Sequence, residues 1–110
     1  MQTIAETEAY RKVADALFTD DEPADIVARV PNDPFCGAVI PGAGGFRKMR
    51  VARRGMGKRG GARVIYIFRR DDMPIILAAA YAKNAKANFT KHERNQLAKV
   101  ADELFEGYRR

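Results

Sequence analysis

Three cationic residues stand at strand-like spacing in the middle of the chain. Lys48 and Arg50 lie two positions apart, and Arg63 opens the apolar run RVIYIFR over residues 63–69. Side chains at i and i+2 share one face of a strand. If the two segments pair antiparallel, all three cations reach the same phosphate or a short run of phosphates. They belong to the stretch Gly42 to Arg70, which holds ten Lys or Arg and no Asp or Glu, half of the twenty basic residues of the protein. Glycines interrupt it and its apolar residues alternate, which excludes an ordinary solvated helix and points to two strands joined by a basic, glycine-rich loop.

The remainder of the chain sharpens that local signal. The net charge of +6 divides into −5 over residues 1–33, +10 over residues 34–70 and +1 over residues 71–110. A field concentrated this way suits a polyanion such as nucleic acid. The 110 residues are 46% hydrophobic, enough for one compact domain, 1–110, and too few for two. The single Cys36 excludes an intrachain disulfide and a multi-thiolate metal site, and its expected role is that of a small apolar filler. The N-terminus lacks a secretory pattern, and the apolar run from Pro74 to Ala82 is far short of a membrane span, so a cytoplasmic protein with no membrane partner is expected.

The elements that must hold the cations follow from periodicity. Thr3 and Ile4 suit a short first strand. Thr7 is an N-cap for a helix with Tyr10, Val13, Ala14, Leu17 and Phe18 on one face, and a second helix with Ile26, Val27 and Val30 ends at residues 31–34. Residues 34–45 read as an extended connection. In the next strand Arg47, Met49 and Val51 share one face, opposite Phe46, Lys48 and Arg50, and the Met49 and Val51 side is the better core face. Arg53 to Gly61, with four glycines and four basic residues, reads as a mobile hairpin loop. In the following strand Val64, Tyr66 and Phe68 share the core face, away from Arg63, Ile65, Ile67 and Arg69. Ile75 to Tyr81 is apolar enough for a strand buried on both faces. Thr90 and Glu93 form a capping box before a last helix carrying Leu97, Val100, Ala101, Leu104, Phe105 and Tyr108. The order is βααβββα, an α+β fold in which a small twisted antiparallel sheet carries two N-terminal helices and a C-terminal helix.

The residues GAGGFRKMR, then GKRGGARVIY, then an apolar strand ending in YAKN, resemble the RelE/ParE toxin superfamily, and more narrowly the HigB/RelE-type toxins of bacterial type II toxin–antitoxin pairs. The resemblance covers most of the chain and implies a RelE-like fold. It also implies a translation-inhibiting endoribonuclease, or mRNA interferase, that cleaves mRNA on the ribosome and is silenced by a cognate antitoxin of helix-turn-helix type. Operator DNA would be met only through the toxin–antitoxin complex. In that family a ribose 2′-hydroxyl attacks the adjacent phosphate while basic side chains move the proton and stabilise the developing charge. One His in the whole chain and no carboxylate in the basic stretch leave a metal-bound water without ligands, so no cofactor is expected. A well-placed cation contributes on the order of 10²–10³ in rate.

By motif matching the resemblance gives Lys48 the role of base or proton shuttle, Arg50 that of phosphate clamp and Arg63 that of transition-state stabiliser. Lys83 falls near the basic residue after the family's fourth strand, although Asn84 follows where RelE has arginine. RelE's C-terminal tyrosine has no counterpart in the segment from Asn88 to His92; whether Tyr81 or His92 replaces it stays open, and Tyr81 is grouped with the RNA-binding residues. Arg47, Arg53, Arg54, Lys58 and Arg59 are assigned to RNA or ribosome contacts. His92 reads as a solvated first-turn residue, and Tyr66 and Phe68 as core. No GxxxxGK[ST] or GxGxxG leading into a helix is present. Two other classes stay open: a ParE-like gyrase poison sharing the fold, and a non-catalytic nucleic-acid-binding module.

Overall fold

The computed structural model describes residues 4–17, 29–53, 57–69, 73–82 and 88–106, with the backbone alone at 52–53 and 57–60. The elements run β1 (Ile4–Glu6), α1 (Glu8–Leu17), the described end of α2 (29–32), β2 (Ala38–Val39), β3 (Phe46–Arg53), β4 (Gly57–Ile67), β5 (Ile75–Ala82) and α3 (Lys91–Glu106). They form one sheet in the order β1-β5-β4-β3-β2. The α+β class with helices before and after the sheet is the one expected from the sequence. The sheet is mixed, however: β1 joins β5 in parallel, pairing Ile4 with Ile75, while the other neighbours are antiparallel. A three-residue strand carries no periodicity from which its direction can be read.

The alternation of side chains divides the sheet into two cores. On one face Met49, Val51, Val64, Tyr66, Ile75 and Leu77 pack with Tyr10 of α1 and Val30 of α2. On the other, Phe46, Ile65, Ile67 and Ile76 pack with Ala101 and Phe105 of α3. β5 is buried on both sides, as its apolar run requires, with Ile75, Ile76 and Leu77 all buried. Its register against β4 shifts after Ile65, which leaves Ala78 as an extra residue between Leu77 and Ala79. The Thr7 hydroxyl donates to the Ala78 carbonyl at 3.0 Å and accepts from the Tyr10 amide at 3.1 Å, so one side chain caps α1 and satisfies the bulge.

The capping box at α3 is present. The Thr90 amide donates to Glu93 Oε1 at 2.9 Å and the Glu93 amide to Thr90 Oγ1 at 3.1 Å. The helix is brought close to the sheet by the turn before β3, where Gly42, Gly44 and Gly45 take positive φ. A Cβ at Gly44 would stand 2.9 Å from the Ala98 backbone, so only glycine lets α3 approach this closely.

Two sequence expectations change. Residues 34–45 include the two-residue strand β2, too short to show a period. The expected hairpin loop Arg53 to Gly61 is instead mostly strand: β3 runs to Arg53, β4 starts at Gly57, and Arg53 pairs with Gly57 beyond an irregularity after Val51. Glycine hides a strand from sequence reading because it offers no side chain to alternate, yet the ladder itself needs only backbone groups.

Candidate functional site

The face of the sheet that carries α3 changes character along its strands. On β3, Phe46 is buried under α3, Lys48 is half-buried and Arg50 is exposed; on β4, Ile67 and Ile65 are buried and Arg63 is half-buried. The covered end is apolar and the uncovered end is cationic. Pairing puts Lys48 opposite Ile65, Arg50 opposite Arg63, and Arg63 opposite Tyr81 of β5. Directly paired residues point to the same side, so Lys48, Arg50, Arg63 and Tyr81 share one patch, as the alternation predicts.

The kind of pairing matters for the two arginines. The Ile40 amide donates to the Phe46 carbonyl at 3.0 Å, and β2 continues in the same register through Val39–Arg47 to Ala38–Lys48. The backbone groups of Phe46, Lys48 and therefore Arg50 face the β2 side. Arg50 and Arg63 thus form a non-hydrogen-bonded pair, the type whose Cα atoms approach to about 4.5 Å and whose side chains stand closest. None of Lys48, Arg50 and Arg63 makes an ion pair with a described residue. The polar contact of the Arg63 guanidinium is with the Ala62 carbonyl, at 3.3 Å. Like charges directly opposite one another disfavour the sheet, and an anion placed between them removes that penalty. Tyr81 adds an aromatic surface beside Arg63, set edge-on to Phe89 with ring centroids 6.1 Å apart.

Arg47 points the other way, opposite Tyr66. Its guanidinium donates to the Gly37 carbonyl at 2.8 Å and the Phe35 carbonyl at 3.4 Å, and lies 4.8 Å over the Phe35 ring. It fastens the segment before β2 rather than joining the patch of Lys48, Arg50 and Arg63. Tyr66 is the second fastener. Its hydroxyl donates to the Pro34 carbonyl and accepts from the Gly37 amide, both at 2.8 Å. Burial, with the neighbouring Cys36 contributing, pushes the Tyr66 hydroxyl up to about 12 from 10.0, against lowering by the Gly37 amide and the Arg47 charge. Core packing was the expected role of Tyr66; its clamp on residues 34–37 carries no local sequence signal. Cys36 is exposed as a residue, while its Sγ rests 3.6 Å from Met49 Sδ. His92 is exposed in the first turn of α3.

Lys83 and Arg54 lie outside the described residues, as do the side chains of Arg53, Lys58 and Arg59, whose backbones belong to β3 and β4. Among the described residues, no group of three or more His, Cys, Asp or Glu is placed to hold a metal ion, and no helix is long and apolar enough to cross a membrane.

A mixed sheet sandwiched between α1 and α2 on one side and α3 on the other, with Lys48, Arg50 and Arg63 gathered beyond the part of the face that α3 covers, defines an α+β protein. The family model for the RelE toxin of the RelE/RelB toxin–antitoxin system matches residues 38–109, which span β2 to the end of α3. The chain belongs to the RelE toxin family, whose members are the toxin partners of antitoxins.

Proposed function

We propose that this RelE-family toxin is a metal-independent mRNA endoribonuclease of the HigB/RelE type, acting in the cytoplasm on ribosome-bound message to stop translation. The observation that carries this reading is the direct opposition of Arg50 and Arg63, with Lys48 on the same face and no acidic partner among the described residues. Paired like charges at the open end of a rigid sheet match a doubly charged phosphorane better than they match any structural need.

In the proposed reaction Lys48 takes the proton from a ribose 2′-hydroxyl. A bond forms from that oxygen to the adjacent phosphorus, the bond from phosphorus to the 5′-oxygen breaks, and Lys48, acting as a shuttle, returns the proton to the leaving 5′-oxygen. The products are a 2′,3′-cyclic phosphate and a 5′-hydroxyl. Arg50 clamps the phosphate and Arg63 stabilises the charge that grows on its oxygens. Tyr81 stacks on a base beside Arg63. Lys83, the residue that follows β5 in the sequence, assists, while Arg53, Arg54, Lys58 and Arg59 dock along RNA. A cognate antitoxin of helix-turn-helix type silences the toxin and brings the complex to operator DNA.

Induced expression without the antitoxin tests the reading. It should arrest growth with immediate loss of amino-acid incorporation, and Arg63→Ala should restore it. Continued translation with accumulation of gyrase-cleaved DNA would replace the reading with a gyrase poison.

A further inference from the structure

The outer edge of β3 is covered unevenly. β2 supplies partners only as far as the Ala38–Lys48 pair, so among the described residues the next outward-facing backbone position, Arg50, has no strand beside it. The segment that would continue β2 is drawn to the opposite face: the Gly37 amide is taken by Tyr66 and the Gly37 carbonyl by Arg47. At this uncovered position a side chain from α2 substitutes for the strand. The Arg29 guanidinium donates to the Arg50 carbonyl at 2.9 Å. Two positions beyond Arg50 the ladder between β3 and β4 loses its regular register, between Val51 and Arg53. Among the described residues Arg50 is therefore the last point at which β3 is held from both sides, by β4 through the flanking pairs Met49–Val64 and Val51–Ala62 and by Arg29 along the edge.

We propose that Arg29 is a positioning residue: its guanidinium replaces the missing strand partner at Arg50 and keeps the Arg50 side chain in register with Arg63. A charge-assisted hydrogen bond to a carbonyl is among the stronger polar contacts available at a strand edge. Displacement of a phosphate clamp by as little as 1 Å is enough to slow phosphoryl chemistry severely. The same contact ties α2 to the cationic patch, so any movement of that helix is felt at Arg50. The inference rests on the ribonuclease reading above.

The test compares Arg29→Met, which keeps the aliphatic stem and removes the donors, with Arg29→Lys, which restores a donor and the charge. Readouts are kcat and KM on ribosome-bound message, the salt dependence of affinity for an RNA oligonucleotide, and amide exchange at Val51. Arg29→Met should lower kcat roughly tenfold with KM and the salt slope unchanged and with faster exchange at Val51. Arg29→Lys should recover most of kcat. Unchanged kcat in Arg29→Met overturns the proposal. So does a raised KM with a salt slope reduced by about one, the signature of a direct phosphate contact. Should Arg29→Met fail to fold, Arg29→Lys decides alone, and a tenfold loss of kcat at an unchanged melting temperature overturns the proposal. Wild-type protein that cleaves nothing refutes the ribonuclease reading only; Val51 exchange then decides whether Arg29 holds the strand.

Discussion

Replacing Arg63 by glutamine should make the protein more stable and less active at once. Arg63 stands directly across from Arg50 in a close, non-hydrogen-bonded pair. Two unit charges about 6–8 Å apart, allowing the guanidiniums to splay, repel by roughly 0.5–0.7 kcal/mol at the dielectric of water. The partial exposure of Arg63 and the greater exposure of Arg50 justify that high dielectric, and salt reduces the figure further. Glutamine gives up the 3.3 Å contact to the Ala62 carbonyl, a bond of marginal length. The net gain is about 0.5 kcal/mol, or about 2–4 °C in Tm for a domain of this size. Calorimetry at low salt reads it, and the difference should close as salt is raised. Inorganic phosphate should raise the Tm of wild type more than that of the variant, because an anion binding the native state stabilises it by mass action. Cleavage should fall on the order of 10²–10³-fold. A Tm lowered by 4 °C or more, or cleavage within tenfold of wild type, would refute the reasoning.

Three further outcomes are expected. Tyr66→Phe should cost about 1–3 kcal/mol in denaturant titration, because it strands the Gly37 amide and Pro34 carbonyl that the hydroxyl now serves. Stability should decline between about pH 10 and 12: burial pushes the hydroxyls of Tyr66 and, with help from the Glu6 charge, Tyr10 up to about 12 from 10.0. Both tyrosines favour the fold while neutral and lose that contribution as pH rises from the unfolded value through the folded one, so the decline should be smaller in Tyr66→Phe. Gly44→Ala should destabilise more than Gly42→Ala by thermal melting: both strain a φ of +73°, but only at Gly44 does the new Cβ meet the Ala98 backbone, at 2.9 Å.

The two-face division of β3 and β4 was legible because charged and apolar residues alternate there. Met49, Val51, Val64 and Tyr66 face one core, while Lys48, Arg50 and Arg63 share the other face. The Thr7 and Thr90 caps were legible for a related reason, since both act within a turn of their own helix. What escaped depends on distance along the chain or on residues without pattern. The pairing of β1 with β5 joins segments some seventy residues apart. The strand character of residues 57–61 is masked by their glycines. Alternation already puts Arg47 on the Met49 and Val51 face, but nothing local signals its engagement there with Phe35 and Gly37. Val13 and Val100 fit helical stripes by spacing yet remain partly exposed. Nothing local to Arg29 marks it as a partner of Arg50.

The central claim is that the open cationic end of this sheet cuts RNA rather than only holding it. Mapping of RNA ends after purified protein is added to translating ribosomes, with chelator present, tests it most directly. The account predicts new 5′-hydroxyl ends within the message, lost together in Lys48→Ala, Arg50→Ala and Arg63→Ala. Intact message from the wild type, or cleavage undiminished in all three variants, would contradict it.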